Sequence, residues 1–116
     1  MNVLLVDDSA PVRTRLARMV REIEGVVVVE AAGADDAFAL LDAVAFAVVV
    51  VDVHMAPRSG LELLNALQGS DALLVAMTNE PTETLKQACL ARGARHFIDK
   101  SRDFHRLAEF VRTAMS

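Results

Sequence analysis

Short apolar runs and amphipathic segments alternate five times along the chain. The apolar runs, at residues 2–6, 26–30, 46–51, 73–77 and 95–98, are rich in valine or leucine. Runs of that length and composition predict strands covered on both faces. The segments between them show helical periodicity. Ser9 is placed to cap a first helix with Pro11 tolerated in its opening turn, and Val12, Leu16, Met19, Val20 and Ile23 follow at spacings of 3, 4 and 7. Gly25 is its predicted stop. A second helix over 34–44 presents Ala37, Leu40, Leu41 and Val44, and a third over 60–68 presents Leu61, Leu64 and Leu67 before Gly69. Pro81 opens a fourth, with a thin face of Leu85, Ala88 and Cys89, which Gly93 closes. A fifth, over 103–115, has a fuller face of Phe104, Leu107, Ala108, Val111 and Met115.

Strands alternating with helices of this length predict right-handed crossover units and a three-layer α/β sandwich with a parallel sheet. The alternation alone leaves strand order open. At 116 residues the chain fits one domain, taken here as residues 1–116. A chain of that size buries roughly 65% of its unfolded surface. No apolar run approaches the roughly 20 residues that span a bilayer. Nothing resembles a secretory signal, so a cytoplasmic protein is expected. The formal charge of −4 argues against a broad basic surface for nucleic acid. Arg13, Arg15, Arg18 and Arg21 spread around one helix and read as a solvated, partly partner-facing surface. The single cysteine, Cys89, reads as a small buried residue.

Candidate chemistry sits where the apolar runs end. Val3 to Val6 lead into Asp7 and Asp8, Ala47 to Val51 lead into Asp52, and Lys100 follows Phe97, Ile98 and Asp99. If these runs are neighbouring parallel strands, three carboxylates and one ammonium share a crevice at their carboxyl ends. Two carboxylates roughly 4 Å apart repel by about 4 kcal/mol at an effective dielectric near 20, and a third adds to that. Protonation of one acid or a divalent cation would compensate, and magnesium suits carboxylates joined by a backbone carbonyl and waters. Lys100 is suited to hold a phosphoryl oxygen, and Thr78 offers a hydroxyl after the fourth run. Asp52, the most central, is the candidate nucleophile for an acyl phosphate. The chain lacks G-x-x-x-x-G-K-[ST] and G-x-G-x-x-G, so an outside phosphoryl donor is needed, and it also lacks a D-x-D-x-D calcium loop.

These residues resemble the receiver domain of bacterial two-component response regulators over essentially the full length. The resemblance rests on Asp7 and Asp8, Asp52, Thr78, Phe97 and Lys100 in their successive elements, and on the segment Asp52 to Leu61. It implies a flavodoxin-like fold with five strands in the order 2-1-3-4-5. It also implies that Asp52 accepts a phosphoryl group from a histidine kinase or phosphotransfer protein. Mg2+ (or Mn2+) would be held directly by Asp8, mainly through water by Asp7 and through the backbone carbonyl of His54, with Asp52 also in the metal set. Thr78 and Lys100 would grip the phosphoryl oxygens. Phe97 would turn inward as Thr78 moves, reshaping the surface made by the fourth helix, fifth strand and fifth helix. Output would then be contact with a downstream protein, with neither nucleic acid nor membrane as partner, and that face also leaves room for a homodimer. A stand-alone phosphorylation-dependent signalling switch is expected, assisting its own phosphorylation and dephosphorylation without turnover of a separate substrate.

Three positions depart from the family pattern. Ala56 stands where proline is usual and the proline moves to Pro57; Asn79 follows the switch threonine in place of a smaller residue; Ser101 replaces a proline after Lys100. A non-proline cis bond there costs roughly 3 kcal/mol, so either a trans bond or stored strain is expected. The His54 side chain reads as a solvated loop residue, because magnesium prefers oxygen donors. The competing readings are a non-phosphorylated receiver-like interaction module and, behind it, a small Mg2+-dependent phosphohydrolase, which would want a second acid or base near Asp52.

Overall fold

The computed structural model describes residues 1–55 and 58–116; Ala56 and Pro57, the shifted-proline departure, lie outside the described residues. Its elements in order are β1 (Asn2–Val6), α1 (Ala10–Arg21), β2 (Val27–Ala31), α2 (Ala34–Ala43) and β3 (Val48–Asp52). They continue as α3 (Gly60–Leu67), β4 (Leu73–Thr78), α4 (Glu83–Ala91), β5 (His96–Asp99) and α5 (Arg106–Met115). The five strands form one parallel sheet in the order β2-β1-β3-β4-β5, the flavodoxin-like arrangement.

The continuous apolar runs conceal an alternation that the sheet sorts into two cores. Leu4, Val6, Val49 and Val51 face one side, where Ala37 of α2, Leu63 and Leu64 of α3 and Cys89 of α4 cover them. Val3, Leu5, Val48 and Val50 face the other side, under Leu16 and Val20 of α1 and Leu107 and Val111 of α5. Every residue of β3 is buried, as a central strand between two helical layers requires. Cys89 is buried as expected.

Several boundaries differ from the sequence reading. The first helix ends at Arg21, and Gly25, at φ 85°, instead turns the chain into β2. The Ser9 side chain makes no capping bond. The third strand starts at Val48, leaving Phe46 and Ala47 before it. Pro81 precedes the fourth helix and Thr82 caps it, its hydroxyl accepting from the Leu85 amide at 3.1 Å. The fifth helix starts at Arg106, because a hydrogen-bonded turn from Asp99 to Asp103 takes up the preceding residues. In α3, Leu63 is fully buried beside Leu64, while Leu61 and Leu67 are half-buried. No described helix is long and apolar enough to cross a membrane.

Candidate functional site

Register carries the sequence candidates to one end of the sheet. Val6 pairs with Val51, Asp52 with Met77, and Thr78 with Asp99. Asp7, Asp8, Asp52, Thr78 and Lys100 therefore leave adjacent strands at their carboxyl ends. The first turn of α3 fixes the base of this end. A Cβ on Gly60 would fall 2.3 Å from the Asp52 carbonyl oxygen and 2.7 Å from the Val53 Cα, so only glycine lets the helix press against β3 there. Ser59 caps α3 by accepting from the Leu61 amide at 3.1 Å, and its hydroxyl donates to the Val53 carbonyl at 3.4 Å.

Asp7, Asp8 and Asp52 each offer an oxygen within 4.8 Å of the others. Asp7 and Asp52 are buried and Asp8 is exposed. The Lys100 ammonium donates to Asp7 Oδ2 at 2.8 Å and to Asp52 Oδ2 at 3.0 Å, so one cation bridges both buried acids. This is a third form of compensation, beside the proton and the metal ion considered from sequence. The other oxygens are also engaged: Asp7 Oδ1 accepts from the Ser9 amide at 2.8 Å, and Asp52 Oδ1 from the His54 amide at 3.0 Å. Burial pushes the Asp52 carboxyl above its ordinary value of 3.8, against the opposite pull of the His54 amide and Lys100. Burial alone would lower the Lys100 ammonium, but its bonds to Asp7 and Asp52 outweigh that and raise it.

Above the bridge lies a cavity of about 230 Å³ lined by Asp8, Ser9, Asp52, His54, Asn79, Glu80 and Lys100. Ser9 and Glu80 were missed from sequence, since nothing in their local spacing marks them; they reach the wall because the β1 and β4 ends adjoin β3. Asn79 is on the wall. Thr78 is fully buried behind the wall, its hydroxyl accepting from the Glu80 amide at 3.0 Å. Phe97 stands apart from the cavity, half-buried against the core under α4. The His54 side chain is exposed, in keeping with a loop residue. Ser101 is tied down by Asp99, whose Oδ1 accepts from its amide at 2.9 Å and its hydroxyl at 2.8 Å.

Of the four arginines of the first helix, two are committed to β2: Arg13 and Arg21 each reach Glu30 at 3.2 Å. Arg15 lies over the Phe104 ring at 5.3 Å, leaving Arg18 as the solvated member.

Three clustered carboxylates and one ammonium leave an excess of negative charge in a cavity open to solvent. An all-oxygen donor set of this kind fits a hard divalent cation. Comparison with known proteins agrees with this chemistry. The response regulator receiver domain model matches residues 3–112. The response regulator UvrY of Escherichia coli O6:H1 is 30% identical over 119 residues, covering 100% of this chain and 55% of that protein. The chain thus spans about half the length of that curated relative. A response regulator structure from Burkholderia pseudomallei, with a phosphorylated aspartic acid, a calcium ion and citrate, superposes with a TM-score of 0.84 at 26% identity, over 99% of this chain and 66% of that one. The response regulator TrrA of Thermotoga maritima, in complex with Mg2+ and BeF, superposes with a TM-score of 0.84 at 25% identity over 97% of both chains.

Proposed function

The chain belongs to the response regulator receiver domain family, and we propose that it is a phosphorylation-dependent switch whose acceptor is Asp52. The observation that carries this reading is the bridge of Lys100 between Asp7 and Asp52 beneath a small polar cavity. A carboxylate oxygen of Asp52 attacks the phosphorus of a phosphohistidine on a histidine kinase or phosphotransfer protein. The P–N bond breaks, and its electron pair returns to the donor's imidazole nitrogen.

Within this reading each residue has a role that its position supports. Asp52 is held in orientation by the His54 amide on one oxygen and by Lys100 on the other. Lys100 already lies within hydrogen-bond distance of the acceptor carboxylate, so its ammonium stays beside the phosphoryl oxygens that form there. Thr78, behind the wall, accepts from the Glu80 amide through its hydroxyl oxygen and keeps the hydroxyl proton to donate to a phosphoryl oxygen as it moves toward the cavity. That change, coupled to Phe97 turning further into the core under α4, is the switching motion. Asp7, Asp8, Asp52 and the His54 backbone carbonyl would hold Mg2+. When bound, the ion supplies neutralisation of the charge that develops on the phosphoryl oxygens. The output is contact with a downstream protein, and no separate substrate is turned over.

Incubating the protein with acetyl phosphate and Mg2+ and recording its intact mass tests the reading. A labile phosphate adduct, abolished by Asp52→Ala and by chelation, is expected. No adduct, or an adduct that persists in Asp52→Ala, would overturn it.

A further inference from the structure

Asp7 is held at every polar atom it has. Its amide donates to the Ala31 carbonyl of β2 at 3.1 Å, and its carbonyl accepts from Arg13 Nη1 at 2.6 Å. Its two carboxylate oxygens take the Ser9 amide and the Lys100 ammonium, both at 2.8 Å. Asp8, the next residue, is the opposite case. It is exposed on the cavity wall, and among the described residues no donor holds its carboxylate. The place of that carboxylate therefore depends on the peptide that joins Asp8 to Asp7. A peptide unit is planar, so a grip on the Asp7 carbonyl oxygen fixes the plane from which the Asp8 Cα departs.

The grip of Arg13 is itself braced. Arg13 stands in the first turn of α1, where its own amide donates to the Ser9 carbonyl at 2.9 Å. Its Nε donates to Glu30 Oε1 at 3.2 Å, and the other Glu30 oxygen accepts from Arg21 at 3.2 Å. Glu30 precedes Ala31, so β2 holds Asp7 twice, directly through Ala31 and indirectly through Glu30 and Arg13. The Arg13 and Glu30 side chains are 16% and 28% exposed, so this fork lies largely out of solvent. Arg21 makes a matched set of bonds: it too donates to Glu30 and to one backbone carbonyl, that of Val28 at 3.2 Å. The difference is which carbonyl is held.

We propose that Arg13 is a positioning residue for the acidic pocket: by holding the Asp7 carbonyl, it sets where Asp8 presents its carboxylate to a divalent cation shared with Asp52. The proposal rests on the reading above that Asp7, Asp8 and Asp52 take such an ion, and adds what fixes their geometry. Arg13 touches neither the ion nor the phosphoryl group and acts through Asp7. Charge and geometry give opposite signs here. Removing a cation from near three carboxylates would by charge alone tighten the binding of a divalent ion. Loosening the peptide that carries Asp8 weakens it, because the ligand oxygens must then be brought together at the moment of binding.

Titration of the full chain with Mn2+, followed by the electron paramagnetic resonance signal of the free ion, tests this. Arg13→Met should weaken Mn2+ binding about 10-fold, whereas Arg21→Met, which loses the same kinds of bond away from Asp7, should stay within about 3-fold of wild type. Circular dichroism verifies that each variant is folded at the assay temperature. If Arg13→Met is not, Arg13→Lys takes its place against Arg21→Lys, because a single ammonium does not reproduce the guanidinium fork between two acceptors. Unchanged or tighter Mn2+ binding in the folded Arg13 variant would overturn the proposal. So would equal weakening in the two arginine variants, which would make the network merely structural, or a wild type that binds no Mn2+. Acetyl phosphate labelling of the wild type is read alongside. Mn2+ affinity that falls in Arg13→Met while the wild type forms no adduct supports this inference and overturns the phosphoacceptor reading; a wild-type adduct with unchanged Mn2+ affinity in Arg13→Met does the reverse.

Discussion

Replacing Lys100 with methionine keeps the length of the side chain but removes the cation that bridges Asp7 and Asp52. Their carboxylates lie 2.8 and 3.0 Å from its nitrogen, so at an effective dielectric near 20 each attraction is about 6 kcal/mol. Most of that is offset by the cost of desolvating the ammonium, which the variant no longer bears. The net loss on leaving buried carboxylates without a partner is about 3–5 kcal/mol. The side chains concerned are 4%, 0% and 4% exposed, so solvent screening does little to soften the loss. At about 4 °C per kcal/mol for a chain of this size, the melting temperature in chelator should fall by roughly 12–20 °C. The pH dependence has a definite sign. Asp52 already has a folded-state value above 3.8, chiefly from burial, and losing Lys100 raises it further. The folded variant therefore takes up a proton more readily than the unfolded chain, and its deficit is largest well above that raised value and shrinks on acidification. Mg2+, as a substitute cation among the same oxygens, should raise the melting temperature of the variant more than that of the wild type. Far-UV circular dichroism melts in chelator and in Mg2+ measure this, because the chain has neither tryptophan nor tyrosine for fluorescence. A variant melting within about 3 °C of wild type in chelator near pH 8, or an equal Mg2+ increment in both proteins, would refute the reasoning.

Gly60→Ala should lower stability by about 1–3 kcal/mol or more, because the added methyl meets the Asp52 and Val53 backbone rather than a yielding side chain; urea titration should show a lower midpoint with unchanged slope. Asn79→Ala should change the lifetime of the acyl phosphate, since the amide lines the cavity through which water arrives; equal dephosphorylation rates would end that idea. His96 is held below its ordinary value of 6.5 by burial and then by Arg95 and Arg106. The unfolded chain therefore binds that proton first, and stability is lost as pH falls below about 6.5. His96→Gln should flatten the stability profile in that window, and an unchanged slope would remove the assignment.

All ten elements can be read in the order of apolar runs and helical faces, because burying a strand on both faces demands an uninterrupted apolar run whatever its neighbours are. Ends were less legible. Val26, Phe46 and Ala47 satisfy the same apolar demand as true strand residues, yet the ladders of β2 and β3 begin after them. The register is chosen by the whole sheet rather than by one segment. Leu61 and Leu63 look alike in the sequence, and only the approach of α3 to β3, permitted at Gly60, decides which is fully buried.

In the site, the amino-acid order was enough to nominate Asp7, Asp8, Asp52 and Lys100, because each follows a run that must be a strand and parallel strands end together. Tertiary structure alone decided that Lys100 bridges Asp7 and Asp52, that the Thr78 hydroxyl stands behind the cavity wall, and that Ser9 and Glu80 belong to that wall. It likewise committed Arg13 and Arg21 to Glu30 and stacked His96 on Phe110. The physical reason is one of range. Strand and helix preferences are set by residues a few positions apart, whereas an ion pair or a cavity wall depends on distances between side chains separated by up to 93 positions, which no local pattern encodes.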